Sequence, residues 1–219
     1  ASVSHELNQP LAAMKTYLAG ARLLLQRKRP DEALSSFQRI DDLIERMGAI
    51  TRQLKSYARK GGEAFEEVDL RACVSSALAM MEPQLKARVV KISRGMPRQA
   101  VMVMADRLRL EQVIINLLRN ALDATKDTKD PQIDILLSAG ETATLTVRDN
   151  GHGIIDLENL FEPFYTTKKP GEGVGLGLAI SSGIVTDLGG RLTARNGDGG
   201  GAVFEMQLPI LGNKQEAAE

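Results

Sequence analysis

Apolar side chains recur every three or four positions at the start of the chain: Val3, Leu7, Leu11, Met14, Leu18, Ala21 and Leu25. That period lays them along one side of a helix, predicted over residues 1 to about 28. Arg29-Pro30-Asp31 breaks the pattern, and Asp31 can cap the next helix. A second stripe, Leu34, Phe37, Ile40, Ile44, Met47, Ile50, Leu54 and Tyr57, predicts that helix to run to about Lys60. Two helices joined by so short a loop form an antiparallel hairpin. Each stripe is wider than one partner helix can cover. A second copy of the hairpin, completing a dimeric four-helix bundle, would bury the remainder; the alternative is packing onto the rest of the same chain.

Gly61-Gly62 marks a boundary, and beyond it strands and helices mix. Strands are predicted at 65–68, 89–93, 101–104, 132–138, 143–148, 191–195 and 202–208. Helices are predicted at 69–85, 106–125 and 175–188, the first two opening on Asp caps. Strands outnumber helices and adjoin one another as hairpins, so an α/β sandwich with helices on one sheet face is expected. The overall class is then α+β, with a hairpin domain over 1–62 and a sandwich domain over 65–211. Residues 150–174 are polar and Gly-rich with little periodicity, as in a lid or binding loop. Residues 212–219 are expected to be a disordered tail.

Composition narrows the partners. The 28 Lys and Arg against 28 Asp and Glu leave no net charge, hence no overall basic field to hold nucleic acid or an anionic membrane. Cys73 is the single cysteine, which excludes an intrachain disulfide framework and fits a cytoplasmic protein. It lies in an amphipathic stretch and reads as a small buried apolar residue. No apolar run approaches the roughly 18 residues that span a bilayer, and no signal peptide opens the chain. The chain starts at Ala1, without an initiator Met and four residues before His5. It is expected to be a piece of a longer protein, with any sensor or membrane segment upstream.

Three clusters carry candidate chemistry. In Glu111-Gln-Val-Ile-Ile-Asn116-Leu-Leu-Arg-Asn120-Ala-Leu-Asp123, two Asn four apart share a helix face and Asp123 lies three beyond. An amide oxygen is a neutral ligand that suits Mg²⁺ held mainly by water and phosphates. The bland alternative, two solvated asparagines, places a mediocre helix former twice in mid-helix. Asp149-Asn-Gly-His-Gly153 follows a strand, where a carboxylate could accept from an adenine amine and glycines let backbone approach the ring. A plain turn would use the same residues, and His152 reads as an exposed loop side chain. Gly171, Gly173, Gly175 and Gly177 precede an apolar helix whose first backbone N–H groups could cradle phosphate. The Rossmann fingerprint fails in both registers at Leu176 and Leu178, and no P-loop occurs. Gly197 to Ala202 formally fits a dinucleotide fingerprint but leads into a strand and is rejected.

In order and spacing these elements resemble the GHKL ATPase superfamily, whose ATP-binding fold is named after Bergerat. Asn116 to Ala124 is similar to its N box, Asp149 to Gly153 to its G1 box, and Gly171 to Gly177 to its G2 box. Leu160-Phe-Glu-Pro-Phe164-Tyr-Thr-Thr-Lys168 resembles the F box specific to histidine kinases. The resemblance implies that Asn120 binds Mg²⁺, that Asn116 lies near the triphosphate and that Asp149 reads adenine. It also implies an ATP lid over 150–177. Asp123, Gly151, Gly153, Phe161, Thr167, Lys168, Gly171, Gly173, Gly175, Leu176 and Gly177 join them as implied nucleotide-binding residues. One departure is Ala202, where the family often has Thr or Ser, which puts a secondary adenine contact in doubt.

Ser4-His5-Glu6-Leu7-Asn8-Gln9-Pro10-Leu11 resembles the H box of bacterial sensor histidine kinases, most closely the dicarboxylate- and oxygen-sensing kind. His5 is two residues from both Val3 and Leu7, about 200° around the helix from each, and so faces away from the apolar seam. Neutral imidazole is a competent nucleophile near its reference pKa of roughly 6.5. Glu6 could take the ring proton as general base. Pro10 removes one backbone donor and crowds the Glu6 carbonyl, which should kink the helix. The resemblance implies a homodimer that phosphorylates His5 from ATP, donates to an aspartate of a response regulator, and uses Gln9 to dephosphorylate that regulator. Two other classes compete. A chaperone- or topoisomerase-like ATPase of the same superfamily would lack the H and F boxes, and a dead scaffold should lack some nucleotide residues.

Overall fold

The computed structural model describes residues 3–58, 65–168 and 175–211. The Gly61-Gly62 boundary, Gly171, Gly173 and the 212–219 tail lie outside the described residues. By proximity of backbone positions the chain divides into two compact units, 1–60 with 164–176, and 61–163 with 177–219.

In the first unit α1 (Val3–Gln26) and α2 (Pro30–Ala58) form the hairpin that the apolar stepping predicts. Asp31 and Glu32 occupy the first turn of α2, where carboxylates suit the positive helix end. Helix α1 runs on through Pro10. Among the described side chains of the hairpin, Pro10, Ala21 and Ala33 are buried, whereas Leu11, Leu18, Leu23, Leu25, Leu34, Phe37 and Ile44 are exposed.

The second unit begins with β1 (Glu66–Asp69) and α3 (Leu70–Ala87), then β2 (Lys91–Gly95), β3 (Met102–Ala105) and α4 (Arg107–Ala124). It continues with β4 (Gln132–Ala139), β5 (Thr142–Asp149), α5 (Gly177–Asp187), β6 (Arg191–Asn196) and β7 (Ala202–Pro209). Both Asp caps form. Asp69 Oδ1 accepts from Arg71 N at 3.1 Å, and Asp106 Oδ1 accepts from Leu108 N and Arg109 N at 2.9 and 3.2 Å. Five strands make one sheet in the order β2-β4-β5-β7-β6, and β1 pairs with β3 in a separate ribbon. Antiparallel hairpins join β4 to β5 and β6 to β7, but β2 runs parallel to β4. That parallel pair is possible because β3 and α4 carry the chain between the two strands.

Alternation decides which face is covered. Ile133, Ile135 and Leu137, Ala143, Leu145 and Val147, and Phe204, Met206 and Leu208 point to one buried face. Leu110, Val113, Ile114, Leu117, Leu118 and Ala121 of α4 are likewise buried, and α4 contacts β5 while α5 contacts β6 and β7. The expected α/β sandwich with helices on one sheet face is present. No helix of the described residues is long and apolar enough to cross a membrane.

Candidate active site

Asp149 ends β5 and is 2% exposed. Its Oδ1 accepts from Gly151 N at 2.9 Å and from Ala202 N at 3.2 Å, while no described residue donates to Oδ2. One oxygen is thus used to aim the other. Burial raises the carboxyl above its ordinary range, against the pull of the two backbone N–H bonds and of His152. A desolvated acceptor fixed on one side suits an amine donor such as the exocyclic group of adenine.

The loop beyond it is built for close approach. Gly151 leaves no room for a Cβ, which would overlap the Ala124 carbonyl at the end of α4. Asn150 ties the same loop to the start of β4: its Oδ1 accepts from Gln132 N and its Nδ2 donates to Asp130 O, both at 2.8 Å. Asn196 clamps the far side through Ile154 N and O at 2.7 and 3.0 Å, beside Gly153. His152 is exposed, as expected, with Nδ1 2.7 Å from the Gly153 carbonyl.

Asn116 and Asn120 are half-buried on α4, with Leu117 and Leu118 beside them in the core. They behave differently. Asn116 Nδ2 donates to Ser181 Oγ at 2.9 Å, and a Cβ on Gly177 would sit 2.5 Å from Asn116 Oδ1. Asn116 therefore anchors the first turns of α5. Asn120 makes no side-chain hydrogen bond with any described residue. Asp123, one turn on, is also half-buried.

Residues 150–176 contain no helix or strand among those described, matching the expected irregular loop. Phe161 is half-buried in its turns, in the same unit as Asp149. Thr167, Lys168, Gly175 and Leu176 fall in the unit that holds the hairpin. There Phe164 N donates to Gly175 O at 2.9 Å, closing the loop between them, and Lys168 N donates to Thr166 Oγ1 at 3.2 Å. His5, Glu6 and Gln9 lie in the first turns of α1, with side chains outside the described residues.

Sequence reasoning missed Gly201. Its φ is +73°, and a Cβ there would overlap the Asp149 carbonyl oxygen. It sets the turn that aims Ala202 N at the Asp149 carboxylate. The signal was the glycine run 199–201, discarded because it leads into a strand. It also missed Ser181, a buried serine in an apolar helix, and Asn196.

Two family models match this chain. One, the His Kinase A (phospho-acceptor) domain, covers residues 1–63. The other, described as histidine kinase-, DNA gyrase B-, and HSP90-like ATPase, covers residues 105–212. Among curated proteins the chain is 42% identical to the C4-dicarboxylate transport sensor protein DctB of Pseudomonas aeruginosa over 95% of its own length and 35% of that protein's. It is 33% identical to the sensor protein FixL of Bradyrhizobium diazoefficiens, over 95% of this chain and 42% of that one. The chain thus spans about a third of the length of the curated relatives it matches first. Among solved structures, the catalytic domain of the histidine kinase ThkA is 30% identical, with a TM-score of 0.60 over 67% of this chain and 96% of that one. The Acinetobacter baumannii histidine kinase AdeS shares the fold across 95% of this chain and 99% of that one, at 24% identity and a TM-score of 0.74. A phospho-acceptor domain followed by an ATPase-like domain is the order the two family models give, and the chain belongs to the sensor histidine kinases.

Proposed function

We propose that this chain, as a homodimer on the cytoplasmic side of a longer sensor, transfers the γ-phosphoryl group of ATP to His5 and then to an aspartate of a response regulator. Asp149 is the observation that carries it: a buried carboxylate held by two backbone amides, with its second oxygen left for a donor. Asn120, half-buried and without a described partner, fits a neutral ligand for Mg²⁺, which would offset charge on the phosphates. The lone pair of the His5 imidazole attacks the γ-phosphorus, the bond to the ADP oxygen breaks, and Glu6 takes the ring proton. Dimerisation is supported by the exposed apolar positions of α1 and α2, which need a partner to leave water. A response regulator is supported by family membership and by a ThkA structure of the same fold (23% identity, TM-score 0.73), described as a complex with the response regulator TrrA.

Gln9 lies one turn after His5 and so on the same helical face. Its amide can both donate to and accept from a water, aiming it at a phospho-aspartate without acting as a base. On that ground the chain also dephosphorylates its regulator. Incubation with γ-labelled ATP tests the central step. His5→Ala should abolish acid-labile labelling and keep nucleotide affinity, and Asn120→Asp should abolish Mg²⁺-dependent labelling in a folded protein. Labelled His5→Ala protein would remove His5 as acceptor. Gln9→Ala should lower phosphatase activity more than tenfold, about 1.4 kcal/mol of barrier, with labelling largely kept.

A further inference from the structure

A groove of about 480 Å³ opens between the α3–β2 connection and the loop joining α4 to β4. It is lined by Arg88, Lys91, Lys126 and Lys129 against a single carboxylate, Asp130. In a chain of zero net charge this is a local excess of cations. Among the described residues none of the four forms a salt bridge. Arg88 is held in place by donating Nη1–H to the Leu122 carbonyl at 3.2 Å. The neighbouring Val89 is kept at φ +53° while 81% exposed. A β-branched residue is strained in that region, and its surroundings must hold it there. Like charges gathered on a concave wall focus the field there and raise the local concentration of counter-ions.

The groove is also wired to Asp149. Its wall at Asp130 and Pro131 leads into Gln132, and Asn150, next to Asp149, bonds Asp130 O, Gln132 N and Gln132 O at 2.8, 2.8 and 3.3 Å. At its base Thr125 caps α4, and the preceding Ala124 carbonyl accepts from His152 N at 3.4 Å. One hydrogen-bonded loop therefore has the groove on one side and the Asp149 turn on the other.

We propose that this groove binds a compact, multiply charged anion of the phosphate class, and that its occupancy changes nucleotide affinity through Asn150. Lysine ammonium groups are mobile point charges that suit a tetrahedral oxyanion. The volume is that of a small-molecule site. The inference is independent of His5 chemistry. Inorganic pyrophosphate, titrated into the ¹⁵N-labelled protein, is the probe. The amides of Val89, Lys126, Thr128 and Lys129 should shift saturably, and Lys126→Glu/Lys129→Glu should weaken binding at least tenfold. Saturating pyrophosphate should change the nucleotide Kd at least twofold in the wild type and not in the double variant. An unchanged spectrum elsewhere shows that the variant is folded; Lys126→Gln/Lys129→Gln serves if it is not. Shifts confined to Asn120 and Gly151, or nucleotide displacement that persists in the variant, would place the anion in the ATP site and overturn the proposal. Linear, unsaturable shifts would mean an adventitious ion only, and saturable binding without any change in nucleotide affinity would sink the coupling.

Discussion

Asp149 is a buried carboxylate that costs the fold stability. Burial raises its carboxyl above the ordinary 3.8, so the ionised form costs more in the fold than in the unfolded chain. Folding stability from this group falls as pH climbs from 3.8 through the folded value, and the loss is complete above it. Asp149→Asn keeps an oxygen for Gly151 N and Ala202 N but carries no charge. Its melting temperature at about pH 7 should equal or exceed the wild type's, the difference shrinking toward acid. Nucleotide affinity should fall about tenfold or more, roughly 1.4 kcal/mol, because an amide presents the wrong group to an amine. A variant that melts lower at neutral pH, or binds ATP normally, would contradict this role. Gly201→Ala is the complementary case. Positive φ and overlap with the Asp149 carbonyl should cost about 1–3 kcal/mol in denaturant titration, with nucleotide affinity falling too. Cys73 is fully buried and its thiol is pushed up to about 11, first by burial and then by Glu111. A thiol reagent at neutral pH should modify it only as fast as the domain unfolds.

Between elements, the contact to test is that of α4 with α5. Asn116 reaches across to Ser181, which is 2% exposed, and Gly177 lies against the same amide. Ser181→Ala leaves that amide without its partner, and should cost about 1 kcal/mol of stability. It should also weaken ATP binding, because α5 starts where the Gly-rich segment ends. Gly177→Ala should disturb the start of α5 by forcing Asn116 aside, whereas Gly183→Ala, with open space around its would-be Cβ, should be tolerated. Thermal melts and nucleotide titrations of the three variants would separate these outcomes. Equal behaviour of Gly177→Ala and Gly183→Ala would show that the Asn116 contact does not matter.

At the scale of the molecule, the hairpin exposes large apolar side chains. Leu18 and Leu25 are each 49% exposed and Leu34 is 62% exposed. Sedimentation should report a dimer, and Leu18→Glu/Leu25→Glu should shift it toward monomer while leaving the ATP-binding unit folded. A wild-type monomer at micromolar concentration would remove the four-helix bundle.

Helix and strand positions of this chain were legible in its sequence because their causes are local. The three- and four-residue stepping of α1 and α2, the alternation in β4 and β5, and the Asp69 and Asp106 caps each act within a few residues. Asn116 and Asn120 could be singled out for a similar reason, since two Asn in mid-helix conflict with local preference, whereas Asp149 stands in a turn-like sequence and only the family resemblance gave it a role. Tertiary structure alone decided the rest. The parallel pairing of β2 with β4, the assignment of Oδ1 of Asp149 to Gly151 and Ala202, and the division of labour between the two asparagines all join residues far apart in the chain. The glycine run around Gly201 was visible, but its cause was not: what forbids a side chain there is the backbone of Asp149, which only the pairing of β5 with β7 brings against it.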